Sequence, residues 1–363
     1  MPALHAALLG WYEREQRDLP WRKTRDPYAI WLSEVMLQQT RVQTVIPYWT
    51  RFLAAYPTVE ALAEAPLDGV LALWSGLGYY RRARMLHEGA REVATAHRGQ
   101  FPDTAEGLQA IKGIGRYTAG AIASIAFGRA AALVDGNVAR VLARIFAIED
   151  DVRGTAGLAR VWSLAEALVP GGGAAGSWNQ ALMELGATTC LPKNPRCLFC
   201  PVRTDCDARA QGKESLLPLL APKAKPKLVR RLALVATSGG KVLLGRRRAE
   251  GLFGGLWEPP LLDADDGGDA RGRFEALVGR RLGPLERLGD VTHVLSHRRL
   301  EIEVLGGSLE KGRGARIPLT RAAPAPRETD GEYEAFDLIE TDAFGTLGLA
   351  TLARKVLARA KVE

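Results

Sequence analysis

All four cysteines of this 363-residue chain fall within seventeen residues, as Cys190, Cys197, Cys200 and Cys206 in the spacing C-x6-C-x2-C-x5-C. Four unrelated buried thiols would not gather in one segment. The spacing points to one compact metal centre, either tetrahedral zinc or a [4Fe–4S] cluster. Zinc sites usually pair two short C-x2-4-C units. Only one short unit exists here, Cys197–Cys200, which favours iron–sulfur. Arg196 and Arg203 flank the ligands and would present positive charge to phosphates.

The rest of the chain is organised around that loop. Its length exceeds one ordinary hydrophobic core, so two domains are expected. Residues 1–212 read as nearly all helix, with apolar residues at helical spacing over 28–54, 116–128 and 137–148. Residues 213–228 mix Pro, Lys and Ala without periodicity, as a linker does. Residues 229–363 turn towards strands. Two apolar runs flank Ser238-Gly239-Gly240 as in a hairpin, Leu300–Leu305 alternates, and Asp342–Val362 reads as a C-terminal helix. The formal charge of +8 suits a polyanionic partner. No apolar run approaches the ~20 residues of a membrane span, and the first residues lack a basic leader. A cytoplasmic, nucleoid-associated protein without disulfides is the expectation.

Three further features carry chemistry. Residues 104–128 read helix, Lys112-Gly113-Ile114-Gly115-Arg116, helix. The glycines permit a tight turn, and the second helix offers its first amides to an anion. Lys112 and Arg116 add charge. Glu34 has helical neighbours Ile30, Trp31, Leu37 and Gln38, and an apolar setting raises a carboxyl pKa as a general acid requires. Asp135 precedes Gly136-Asn137 and a helix, a position that fits an N-cap. A carboxylate fixed there can also face a cation forming nearby.

Together Pro27–Thr44 (PYAIWLSEVMLQQTRVQT), KGIGRYTAG, VDGNVARV and the cysteine loop resemble the helix–hairpin–helix glycosylases of the endonuclease III superfamily, and within it the adenine DNA glycosylase (MutY) family. The resemblance implies a multidomain chain. An all-α, two-lobed glycosylase domain (1–212) would hold the hairpin (104–128) and a [4Fe–4S] loop (190–206), followed by a linker (213–228) and an α+β Nudix-like lesion-recognition domain (229–363). It implies Glu34 as general acid, Asp135 as oxocarbenium stabiliser, and Tyr117 and Asn137 as supporting catalytic residues. Trp21 and Arg22 would hold the extruded adenine. Gln180 stands where relatives commonly have a glutamate. Leu37, Gln39 and Tyr79 would wedge into the duplex, with Gln38, Thr40, Leu77, Lys112, Gly113, Gly115 and Arg116 as further DNA contacts. Leu295, Ser296 and His297 match the 8-oxoguanine recognition loop, although an aromatic residue often takes the place of Leu295. Cys190, Cys197, Cys200 and Cys206 would hold the cluster.

The implied partner is duplex DNA containing an A:8-oxoguanine or A:G mispair, bound by a monomer. Bifunctional relatives carry a nucleophilic lysine where Tyr117 stands, and tyrosine cannot form a Schiff base, so monofunctional base release is implied. The Nudix helix candidate Phe274–Gly279 lacks a Glu-Glu pair, which argues against pyrophosphate hydrolysis. The competing readings are an endonuclease III-like lyase, a thymine or uracil mismatch glycosylase, and an iron–sulfur DNA-binding protein without catalysis.

Overall fold

The computed structural model describes residues 2–171, 173–222, 225–310 and 332–362. They form two compact units, Met1–Glu64 with Met85–Pro222, and Ala65–Arg84 with Lys223–Glu363.

The first unit is helical. Its central helix, Pro27–Leu37, is buried from Tyr28 to Met36, as a helix that is apolar on every side must be. Asp26 starts it by accepting from Tyr28 N at 3.0 Å, with proline pre-set in the first turn. It stops at Leu37. Gln39 takes a left-handed backbone (φ +57°), and a new helix, Val42–Ala55, follows. The expected run over 28–54 is therefore two helices, because the apolar spacing continues across the break and periodicity alone does not register it.

The hairpin comprises the helices Ala105–Gln109 and Arg116–Ile125. Of its two glycines only Gly113 is required by conformation, with φ +85°. Gly115 has an ordinary extended backbone, and a Cβ there would meet nothing within 4 Å. The turn is seated against the helix Arg81–Ala96 at Gly89, where a Cβ would lie 2.4 Å from the Lys112 carbonyl and 3.0 Å from the Trp31 ring. Gly89→Ala is thus expected to destabilise the protein by about 1–3 kcal/mol, the range for overpacking a tight contact. Thermal denaturation beside wild type measures it, and an unchanged midpoint would contradict the close approach.

The expected linker is a correction. Leu217 is buried, its carbonyl accepts Arg144 Nε at 2.8 Å, and Ala221 N donates to Asp151 at 2.9 Å. The chain therefore stays packed on the helical unit to Pro222. Composition averages over the segment and hides one anchoring leucine. Residues 223 and 224 lie outside the described residues.

Among the described residues the second unit carries seven strands: β1 Lys227–Ser238, β2 Lys241–Arg247, β3 Trp257–Glu258, β4 Leu261–Asp263, β5 Glu286–Val294, β6 Arg298–Ser308 and β7 Tyr333–Glu340. The order is β3-β2-β1-β6-β5, with β4 on β1 and β7 on β2. Among these described strands β1 and β6 pair in parallel and the other pairs are antiparallel, so the sheet is mixed. Gly239 and Gly240, at φ +56° and +79°, make the tight β1–β2 turn. Phe274 and Val278 of the helix Ala270–Val278 pack on Leu234, Leu243 and Leu305 of the sheet.

The expected C-terminal helix is shorter than read: a 3-10 turn, Thr341–Thr346, precedes Thr351–Arg359. The segment Ala65–Arg84 also departs from the expected 1–212 boundary. Ser75 Oγ and Tyr80 Oη donate to the Leu349 carbonyl at 2.9 and 3.0 Å, and Arg246 pairs with Asp68 at 3.0 Å. Contacts so distant in sequence leave no local trace. Among the described residues no helix is long and apolar enough to cross a membrane.

Candidate active site

A cavity of about 560 Å³ opens in the helical unit, within the ~300–1,000 Å³ of small-molecule sites. Glu34, Tyr117, Asp135, Asn137, Trp21, Arg22 and Gln180 all line it, as do Leu37, Gln38, Gln39 and Thr40 from the helix break. Glu34 is 5% exposed. Its carboxylate accepts a short hydrogen bond from the Tyr117 hydroxyl. Burial pushes the Glu34 carboxyl up to about 7. Asp135 adds to the rise, while the Tyr117 bond and Arg22 oppose it. Burial, together with the Glu34 and Asp135 charges, holds the Tyr117 hydroxyl well above its usual range, so it stays a neutral donor.

Asp135 is the N-cap of the helix Gly136–Ile145 and accepts from Val138 N at 2.7 Å. Its second oxygen accepts from Asn137 Nδ2 at 3.1 Å. Burial raises its pKa, against the pull of these N–H groups and of Arg140. The two carboxyls thus differ in kind. N–H donors favour the charged form of Asp135, whereas Glu34 has a single hydroxyl and apolar walls. Arg140 ties the cap to the cysteine segment, donating to Asn137 Oδ1, Gly186 O and Cys190 O, each at 2.8 Å.

Glu184 and Arg17 are site residues that the sequence reading missed. Glu184 is fully buried on the helix Ala175–Thr188, one turn beyond Gln180. It accepts two bonds from Arg17 at 2.8 Å and one from Arg22 at 2.7 Å. Burial alone would raise its pKa, but the two guanidiniums hold it below the usual carboxylate range. Glu184 stands four residues beyond Gln180 on the same helical face, and that i,i+4 relation was the available signal.

The expected DNA contacts fare unevenly. Lys112 Nζ pairs with Glu88 at 2.5 Å, and its main-chain N donates to Glu92 at 2.9 Å. Arg116 pairs with Glu166 at 2.5 Å and lies over the Trp162 ring. Both hairpin cations are therefore partnered rather than free. The second helix itself has no side-chain cap, which leaves first-turn N–H groups for an external acceptor.

In the other unit Leu77 is buried, a correction to its place among DNA contacts. Tyr79 is 47% exposed and its hydroxyl lies 2.5 Å from Ser296 Oγ. Ser296 and His297 form the exposed tip of the β5–β6 hairpin, closed by Leu295 N on Arg298 O at 2.8 Å. Leu295 is half-buried, and the exposed apolar neighbour is Val294, 63% accessible. Glu275, the carboxylate of the Nudix-type helix, is occupied by Leu282 N, Arg271 and Arg281.

The four cysteines form no disulfide and line one cavity, with Arg144, Arg196, Arg203, Arg209 and Glu214 among its walls. Arg144 Nη1 donates to Cys190 Sγ at 3.3 Å. Burial pushes Cys200 up to about 12, and the neighbouring sulfurs add to the rise. Thiols that crowd together and are ringed by guanidiniums suit an anionic tetrathiolate centre. Among the described residues no three His, Cys, Asp or Glu side chains converge closely enough to hold a single ion.

This fold and site match a known class. A model of the HhH-GPD superfamily of base excision DNA repair proteins matches residues 32–163, and a NUDIX domain model matches residues 231–359. The human adenine DNA glycosylase is 39% identical, over 98% of this chain and 73% of its own length. The adenine DNA glycosylase of Arabidopsis thaliana is 35% identical, over 97% of this chain and 63% of its own. The chain belongs to the adenine DNA glycosylase family, enzymes that act on N-glycosidic bonds in DNA. The structure of a thermostable thymine-DNA glycosylase, 31% identical with a TM-score of 0.53, covers 58% of this chain and 98% of its own.

Proposed function

We propose that the protein, as a monomer in the cytoplasm, removes adenine mispaired with 8-oxoguanine or guanine in nucleoid DNA, leaving an abasic site. The observation that carries this reading is a pair of carboxyls lining one cavity, one biased to keep its proton and one held by N–H donors. The extruded base costs a few kcal/mol of stacking. Leu37 and Gln39, at the helix break, fill the gap it leaves. Trp21, Arg22, Gln180 and Glu184 surround it. Glu34 donates its proton to adenine N7, and the glycosidic bond breaks with oxocarbenium character. Asp135 opposes the cation, held in place by Val138 N and Asn137. Water attacks C1′. Tyr117, neutral and bonded to Glu34, keeps the acid oriented and offers no amine for a Schiff base.

The Ser296-His297 tip, with Tyr79 at its side, supplies polar groups suited to reading 8-oxoguanine opposite the adenine. Occupation of Glu275 by arginines and a main-chain N–H speaks against nucleotide hydrolysis by the Nudix-like domain. Cys190, Cys197, Cys200 and Cys206 would hold a [4Fe–4S] cluster, which when bound adds rigid closure of the loop and one-electron chemistry. Walls set around a space rather than a point favour a cluster over single zinc. The thymine-DNA glycosylase likeness covers 58% of this chain, whereas the human and Arabidopsis thaliana adenine glycosylases match nearly all of it.

The test is a duplex with adenine opposite 8-oxoguanine, incubated and then split in two. Strand breakage at adenine only after alkali is the expected result. Breakage without alkali, or an efficient borohydride cross-link, would instead establish a lyase.

A further inference from the structure

Glu214 stands eight residues past the last cysteine, in the stretch whose composition suggests a linker. The fold draws it back onto the metal centre. Lys213 pairs with Glu149, and Leu217 is buried with its carbonyl on Arg144, so the intervening turn closes one side of the cysteine cavity. Among the described residues Glu214 is the single carboxylate lining that cavity. Its Oε2 is shut off from solvent and finds no hydrogen-bond partner among the described residues.

An orphaned carboxylate oxygen is costly, and surface acids are not built this way. The other charges of the cavity differ in weight. Arg196, Arg203 and Arg209 are exposed, so water and salt screen them. Arg144 is buried, but it is spread over Leu217, Leu191 and Pro192 carbonyls and Cys190 Sγ. Glu214 is thus the least compensated charge facing the sulfurs.

Resting on the [4Fe–4S] reading above, we propose that Glu214 sets the reduction potential of the bound cluster. Net charge and hydrogen bonding around the sulfurs govern such potentials. A nearby carboxylate favours the oxidised, less negative member of a one-electron couple and so lowers the potential. Arg144, donating to Cys190 Sγ, pulls in the opposite direction. Glu214 acts through the cluster and is not among the residues lining the catalytic cavity.

The experiment is voltammetry of the full-length protein and of Glu214→Gln, with iron and sulfide analysis and the visible absorption band recorded on each. Gln keeps the shape and removes the charge. A midpoint shifted to more positive potential, with iron content and band unchanged, is the expected result. An unchanged or more negative midpoint in a fully loaded variant overturns the proposal. Glu214→Asp, which keeps the charge, should restore most of the wild-type potential, and failure to do so with full iron also counts against it. If Glu214→Gln loads poorly, the Asp variant still decides, since a lowered iron content there shows the residue to be structural. Zinc or no iron in the wild-type protein would instead remove the cluster reading, and this proposal with it.

Discussion

Glu34→Gln is expected to lower the single-turnover rate of adenine release by about 10³-fold, inside the ~10²–10⁴ range of general acids. Binding to the mispaired duplex should change little, because the amide keeps the shape and can still accept from Tyr117. Rapid-quench kinetics with alkaline workup measure the rate, and a rate within tenfold of wild type would remove Glu34 from the role of acid. The pH profile provides a second check. Glu34 is active when protonated and its carboxyl is pushed up to about 7, so base release should fall as pH rises through that value.

Stability follows the same shift with the opposite merit. The carboxyl binds its proton more tightly folded than unfolded, from an ordinary 4.5 to about 7. The native state therefore loses stability as pH climbs through that window, by about 3 kcal/mol once both states are ionised. Glu34→Gln escapes that loss. It should be more stable than wild type at pH 8, with the difference shrinking towards pH 4.5.

Asp135→Asn should cost about 10²–10³ in the same rate, the usual loss when one group stabilising transition-state charge is removed. Asparagine is as good an N-cap as aspartate, so the bond to Val138 N survives and the melting temperature should hardly move. This separates the two roles of the position. A large loss of stability with modest loss of rate would show Asp135 to be a cap and little more.

The readable and unreadable parts of the site divide by the range of the forces involved. Glu34 was legible because its helical neighbours are apolar, and that local fact is what burial acts upon. Asp135 was legible because a cap is a local geometry. The tight turn at Gly113 was legible for the same reason, whereas Gly115 needs no glycine conformation and Gly89, which does the packing, lies twenty-three residues upstream of Lys112. Glu184 was passed over in favour of Gln180, since nothing near it in the chain announces two arginines more than a hundred and sixty residues away. Lys112 and Arg116 were read as adding charge to the hairpin's anion site. Their partners Glu88, Glu92 and Glu166 sit on other helices. At the β5–β6 tip, strand register left Val294 outward and Leu295 half-covered, and register is a property of the sheet.

By itself the sequence determined the local chemistry: four thiols in one loop, a glycine turn before a helix start, a carboxyl on an apolar helix, an aspartate at a cap, and a tyrosine where an amine would be. Tertiary structure alone decided which of these face one another. It brought Glu34, Tyr117 and Asp135 to one cavity, buried Glu184 under two guanidiniums, turned the expected linker back over the cysteines, and gave Ala65–Arg84 to the second unit. The reason is physical. Turns, caps and helix faces are fixed within a few residues, whereas desolvation and charge pairing depend on atoms that the chain delivers from far away, and they exist only once it has folded.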